Sequence, residues 1–350
     1  GLIILGRESE LTIVDSADRI VTVQKPVDRI VVATTSNGEA IQILKATDRV
    51  VGISDHSTLP SPICFPKLSQ LPSIGATGYY GPPDYERILS LNTDLVLDYA
   101  WQDHYTIFTD KLPESIPVVG FDFINDATIA EEFEKLGYIL DKEDEAKEFI
   151  DFYEGYVDTM KKRTEELSGD EKPRVYVGFA DYDLYVTISS LDQWYQPLLD
   201  MAGGMNMAAD LAEDSWGSWW GTGGLYPKVD PEWVIEQNPD IILGGAGWGP
   251  TKGGYTTDDP LEMKELRDDI ISLPELAGLE AVKNGEVYAI HFDLLCGPSF
   301  FIAALYYGTW FHPELFGDLD PQATLQEYVD FRGIDFDVYV QGVFVYPPLE

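Results

Sequence analysis

The sequence predicts an α/β protein of two lobes on one plan, joined by a single long helix, with a ligand cleft between the lobes. Three observations predict it. First, the stretch "DYERILSLNTDLVLDYAWQ" is echoed later by "PEWVIEQNPDIILGGAGWG" at one constant offset. Glu232 falls on Glu86, Val234 on Ile88, Ile235 on Leu89, Asn238 on Asn92, Asp240 on Asp94, and Ile241-Ile242-Leu243 on Leu95-Val96-Leu97. Second, each copy carries apolar pairs at helical spacing, an Asn-centred breaker and a wholly apolar run, which is a helix feeding a strand buried on both faces. Such strands belong to parallel sheets covered by helices. Third, the 350 residues exceed the size at which one core usually stops growing.

The elements follow in order. "LTIVDSADRIVTV" alternates as a hairpin with a polar turn around Asp15 to Asp18. "RIVVAT" reads as a parallel-type strand, Ser36 to Glu39 open a helix through Leu44, and "RVVGISDHS" is a second buried strand. The echo helix, "DLVLDYA" and "IPVVGFDF" complete a strand–helix alternation of the doubly wound kind. From Asp126 to Leu167 one apolar stripe at helical period (Phe133, Leu136, Ala146, Phe149, Tyr153, Val157) predicts a single stiff connecting helix. "RVYVGFA", "WYQPLLDMAGGMNMAADL", the second echo, "GEVYAIHFD" and "PSFFIAALYYGTWF" repeat the alternation. The domain reading is 1–125 for the N-terminal lobe with its hairpin, 126–168 for the connecting helix, 169–317 for the C-terminal lobe, and 318–350 for an extension packed on the C-terminal lobe, where "VDFRGIDFDVYVQGVFVYPP" alternates like a strand.

Composition excludes whole classes. With 61 acidic against 23 basic side chains the net charge is −38. Nucleic-acid phosphates and anionic membrane surfaces would be repelled. At 45% hydrophobic and 13% aromatic, the chain has ample material for packed cores. Its longest apolar runs fall short of the roughly 20 residues a membrane-spanning helix needs. The two cysteines, Cys64 and Cys296, fall in different lobes and are expected as buried thiols rather than a disulfide.

In doubly wound sheets the ligand crevice lies beyond the carboxyl ends of the strands. Aromatic residues and histidines crowd those positions. His56 follows the second strand, Trp101 and His104 follow "DLVL", Tyr182 and Tyr185 follow "RVYVGFA", Trp248 follows "DIILGGAG", and His291 ends "GEVYAI". Tyr79, Tyr80, Trp216, Trp219 and Trp220 stand in loops able to reach the same edge. Any one of these aromatics could be ordinary loop packing. The tryptophans of the glycine-rich "SWGSWWGTGG" follow neither a helical nor a strand period, so a wide ligand held between aromatic walls explains the set better. His56, His104 and His291 could bind a transition metal or ligate a metal chelate axially, although hydrogen-bonding wall residues are the commoner case. No bound metal ion or resident cofactor is expected. The G-x-S-x-G, Walker and H-E-x-x-H signatures are all missing, which argues against an enzyme. Glu86 and Glu232 open their helices at matching places, where a carboxylate favours the helix dipole by about 0.3 to 1 kcal/mol, or where a partner could grip one carboxylate per lobe.

These stretches resemble the helical-backbone periplasmic solute-binding proteins of ABC importers, the group that contains binders of vitamin B12, ferric siderophores and haem. "KPVDRIVVATTSNGEAIQILKATDRVVGISDHS", "LPSIGATGYYGPPDYERILSLNTDLVL", "IPVV", "MAGGMNMAADL", "VDPEWVIEQNPDIIL", "AVKNGEVYAI" and "HPELF" occur in the family's order. The resemblance implies two Rossmann-like lobes with little closure on binding, and a metal chelate (ferric siderophore, haem or corrinoid) as ligand. It also implies a permease docked on Glu86 and Glu232, and an extracytoplasmic place, periplasmic or at the cell surface, with a membrane anchor on the precursor an open matter. The vitamin B12 binder carries a tryptophan just ahead of its first docking helix, where Tyr79 or Tyr80 stands here. Two departures are the Trp-rich segment from Asp214 to Tyr226 and the extension beyond "HPELF". The competing expectation is a cell-surface or self-assembling structural subunit, self-associating through the N-terminal segment or the C-terminal tail.

Overall fold

The computed structural model describes residues 3–5, 10–56, 59, 61–77, 81–101, 104–190, 194–211, 226–247 and 249–349. The chain divides into two units. Unit 1 holds residues 1–154 and 327–336, and unit 2 holds 155–326 and 337–350.

Unit 1 opens with an antiparallel sheet of β1 (Ile3–Leu5), β2 (Glu10–Val14) and β3 (Ile20–Gln24), the predicted hairpin with one strand added. Asp15 organises its turn, its Oδ1 accepting the N–H groups of Ala17 and Arg19 at 3.1 and 3.0 Å. Four parallel strands follow: β4 (Ile30–Val32), β5 (Val50–Ile53), β6 (Leu95–Asp98) and β7 (Val118–Gly120), in spatial order β5-β4-β6-β7. Between them run α1 (Thr35–Ile43), α2 (Tyr85–Ser90) and α3 (Thr106–Thr109). Val31, Val96 and Val118 pack with Ile74, Ile88 and Phe108 on one face.

The stretch 126–168 is two helices, α4 (Ile129–Leu140) and α5 (Glu143–Thr164), where the sequence predicts one. Asp141 takes the left-handed conformation at φ 52°, and Lys25 Nζ donates to the Tyr138 carbonyl at 2.6 Å and to Asp141 Oδ1 at 2.5 Å, satisfying the end of α4. A Cβ on Gly137 would lie 2.8 Å from the Ala146 Cβ, so glycine permits the tight crossing. The apolar stripe survives because both helices face the same core, through the Phe133–Phe149 ring contact at 4.4 Å.

Unit 2 contains β8 (Arg174–Gly178), α6 (Tyr195–Ala202), β9 (Met205–Asn206), α7 (Pro231–Gln237), β10 (Ile241–Ala246), α8 (Leu261–Ser272), α9 (Glu280–Asn284), β11 (Val287–His291), α10 (Phe300–Phe311), α11 (Pro313–Phe316), the first half of α12 (Pro321–Arg332) and β12 (Val345–Tyr346). The sheet order is β9-β8-β10-β11-β12, parallel except for β12. Leaving out β12, both sheets visit their positions in one order, second, first, third, fourth, so the echo in the sequence is an echo of topology.

Of the expected strand-like stretch only β12 is a strand, and the extension opens with the helix α12. Asp320 caps it by accepting the Ala323 N–H at 3.0 Å, Pro321 starts it, and Gly333 at φ +65° follows it. Its last turns belong to unit 1 rather than to the C-terminal lobe, so the chain passes between units within α5, within α12 and again after Phe336. Fully buried Arg332 pairs with Glu39 of α1 at 3.1 Å and donates to Gln42 Oε1 and the Cys64 carbonyl, both at 2.9 Å, while the Tyr328 hydroxyl donates to the other Glu39 oxygen. Cys64 and Cys296 are not joined in a disulfide; Cys64 is buried and Cys296 only partly so. Among the described residues no helix is long and apolar enough to cross a membrane.

Candidate functional site

The carboxyl ends of the unit 1 strands gather His56, Tyr99, His104 and Asp98. β6 is buried throughout and ends on Asp98, whose carboxylate is fully buried. Both of its oxygens lie 2.9 Å from His104 Nδ1. A carboxylate on Nδ1 fixes the imidazole tautomer and leaves Nε2 as the acceptor. No described residue hydrogen-bonds to Nε2. Tyr99 follows Asp98, and its ring sits edge-on to His56 at 5.6 Å and to His104 at 5.8 Å. Burial, reinforced by His104, pushes the His56 pKa down to about 4, so His56 is neutral near pH 7.

Trp101 is placed by its backbone. Asp122, two residues beyond β7, accepts the N–H groups of Ala100 and Trp101 at 2.9 and 3.0 Å. Burial and the neighbouring Glu132 push the Asp122 pKa up to about 7. Glu132 in turn accepts the N–H groups of Asp122 and Phe123 at 3.0 and 2.7 Å, and the Ser16 hydroxyl at 2.5 Å. A tier of buried carboxylates thus underlies the loop that carries Trp101 and His104.

In unit 2, Asp181 plays a matching part. Its Oδ2 accepts the N–H groups of Gly247 and Gly249 at 2.7 and 2.9 Å, on either side of Trp248 in the chain, and its buried Oδ1 has no hydrogen-bond partner among the described residues. Burial raises the Asp181 pKa. His291 closes β11 and is wrapped by glycines. A Cβ on Gly247, Gly253 or Gly254 would fall 2.9, 2.6 or 2.5 Å from ring atoms of His291. His291 Nδ1 accepts the Asp293 N–H at 3.2 Å. Tyr182 is 46% exposed. Tyr185 instead packs against the core around Val234 and Leu276, and its hydroxyl donates to Glu275 at 3.1 Å. Burial first, then Glu275, pushes its pKa up to about 12.

Of the predicted ligand residues, then, Trp101 and His104 share one edge in unit 1, while Tyr182 and His291 fall at strand ends in unit 2. Tyr79, Tyr80, Trp216, Trp219, Trp220 and Trp248 lie outside the described residues. Among the described residues, no three His, Cys, Asp or Glu side chains converge to hold a metal ion. Sequence reasoning missed Asp98 and Asp122, although a carboxylate closing an apolar strand ("LVLD", "VVGFD") is a visible signal, since a buried acid there needs a partner. Glu86 and Glu232 are both exposed in the first turns of α2 and α7.

Comparison with known proteins agrees with this architecture. The model of the periplasmic binding protein family matches residues 30–294. An uncharacterized ABC transporter substrate-binding lipoprotein of Bacillus subtilis, YvrC, is 24% identical over 296 residues, covering 81% of this chain and 79% of that protein. The crystal structure of the TroA-like periplasmic binding protein FepB from Veillonella parvula superimposes with a TM-score of 0.76 at 23% identity, over 95% of this chain and 98% of its own. The molybdate periplasmic binding protein MolA of Haemophilus influenzae, bound to molybdate, gives a TM-score of 0.68 at 19% identity, over 93% and 98% of the two chains.

Proposed function

The chain belongs to the periplasmic binding protein family, and from that premise we propose that it captures a metal chelate (a ferric siderophore, haem or corrinoid) and hands it to its permease. It is the substrate-binding protein of an ABC transporter and works outside the cytoplasm. It is a binder rather than an enzyme.

The observation that carries the choice of cargo is the grouping of His56, Tyr99 and His104 at the carboxyl ends of the unit 1 strands, with His104 Nδ1 held by buried Asp98 at 2.9 Å. An imidazole oriented in this way can meet a metal centre, and flat aromatic faces can meet the surrounding organic ligand. Trp101, Tyr182 and His291, together with Tyr79, Tyr80, Trp216, Trp219, Trp220 and Trp248, are proposed to contribute to the same cargo. MolA is a fold relative described with a metal oxyanion, so metal-containing cargo of other kinds exists on this fold. Glu86 and Glu232 are proposed as the two carboxylates the permease grips.

Tryptophan fluorescence tests the reading, since the chain has eight tryptophans. Titration with cobalamin, haemin and a set of ferric siderophores should give saturable quenching with one of them at micromolar concentration. Silence across the panel in a folded sample would reject a metal chelate as cargo.

A further inference from the structure

Unit 2 carries an open groove of about 850 Å³ beside its edge strand β12. α10, the start of α12 and the tail from Val338 to Leu349 line it, and none of the described strand-end candidates does. Its floor is apolar: Tyr306, Leu325 and Val338 are 4%, 1% and 5% exposed. Its rim presents Tyr339 and Val340, 56% and 71% exposed. The size is that of a small-molecule site.

The charges of its described lining have one sign: among the described residues that line it, Asp258 and Asp320 are the charged ones, with no Lys, Arg or His. Each carboxylate spends one oxygen on the backbone, Asp258 Oδ1 accepting the Gly342 N–H at 2.9 Å and Asp320 Oδ1 the Ala323 N–H at 3.0 Å. The second oxygen of each has no hydrogen-bond partner among the described residues. Three tyrosines, Tyr306, Tyr339 and Tyr346, complete the lining. Burial, then Asp320 and Tyr339, raises the Tyr306 pKa above the ordinary phenol value, which places these groups within each other's field.

Anions are repelled by such a lining, and a neutral apolar molecule would leave both carboxylates without a counter-charge. A cation with an apolar body answers the carboxylates and the tyrosine faces together. We propose that this groove is a second binding site, for an organic cation held by the tyrosine faces and by the Asp258 and Asp320 carboxylates. None of the described cargo candidates lines it, although the His291 N–H donates to the Phe344 carbonyl of the lining at 2.7 Å.

Calorimetric titration of the full chain with benzyltrimethylammonium tests it, with benzyl alcohol and benzoate as neutral and anionic comparisons, in about 0.5 M salt so that general attraction to the acidic surface is screened. The expected result is saturable one-site binding of the cation, weaker binding of the alcohol and none of benzoate. D258N/D320N, in which asparagine can still accept the backbone N–H groups, should weaken the cation by about tenfold, and Y339A by about threefold. Y339A alters an exposed side chain and decides the matter if the double variant does not fold. Absence of saturable binding, or equal affinity in wild type and the folded variants, would overturn the proposal.

Discussion

Arg174 and Asp240 exchange hydrogen bonds at the amino end of the unit 2 sheet. The Arg174 N–H donates to the Asp240 carboxylate at 2.8 Å and the Asp240 N–H donates to the Arg174 carbonyl at 2.9 Å. In unit 1, Arg29 and Asp94 make the same exchange at 2.9 and 2.8 Å. The conserved spacing of the two echoes thus has an atomic meaning: the aspartate ties the entry of the third strand to the entry of the first. Just upstream, Asn92 and Asn238 take the left-handed conformation at φ 48° and 45°, which asparagine tolerates better than most side chains.

This relationship predicts unequal costs for one substitution in the two units. Asp94 also accepts the Asp28 N–H at 3.1 Å, whereas the Asp240 carboxylate serves Arg174. D94A should destabilise by about 1 to 3 kcal/mol in urea unfolding, and D240A by less. Equal costs would mean that the second bond at Asp94 contributes nothing.

The buried pair of Glu39 and Arg332 predicts a larger effect. R332M removes the cation beside a buried carboxylate and should cost about 3 to 5 kcal/mol, while E39L/R332M should recover a large part of it. Urea unfolding of both variants checks this, and a double variant no better than R332M would show that packing rather than charge holds the end of α12.

How far the sequence carries depends on where its signals are local. The hairpin, the echo helices and the buried strands follow from periodicity and from breakers at Asp18, Asn92 and Asn238, all in the left-handed conformation. The break at Asp141 is masked because the Phe133–Phe149 stripe crosses it in phase, and only the run of acids opening α5 (Glu143, Asp144, Glu145) hints at a new helix. α12 was legible through Asp320, Pro321 and Gly333, but the alternation around Val329 to Val338 reads equally as a strand. That Arg332 returns to Glu39 carries no local signal. Of the site candidates, Trp101, His104, Tyr182 and His291 stand near strand ends as read from the sequence, while the packing of partly buried Tyr185 against the core around Val234 depends on tertiary structure alone.

A pH dependence follows from Asp122 and His56, with opposite signs. Asp122 has its folded pKa raised from 3.8 to about 7, so its contribution to stability is full below 3.8 and is lost as pH rises to about 7. His56 has its folded pKa lowered from 6.5 to about 4, so its contribution is full above 6.5 and is lost as pH falls to about 4. D122N keeps an acceptor for the Ala100 and Trp101 N–H groups without ionising. Relative to wild type it should therefore gain stability steadily between pH 4 and 7, measured by thermal unfolding across that range. A pH-independent difference would contradict the burial argument.

Docking through the two exposed carboxylates predicts that binding and delivery separate. E86K/E232K should leave ligand affinity and thermal midpoint unchanged while abolishing uptake in cells that depend on this protein. Full uptake by the double variant would remove both residues from the permease contact.

The most direct measurement of the central claim is calorimetric titration of wild type and H104A, side by side, with haemin, cobalamin and the ferric siderophores. The account predicts one-to-one binding of one chelate to wild type and a loss of about tenfold or more in H104A, as removal of a metal-facing group does. No heat from any chelate, or identical affinities in the two proteins, would contradict it.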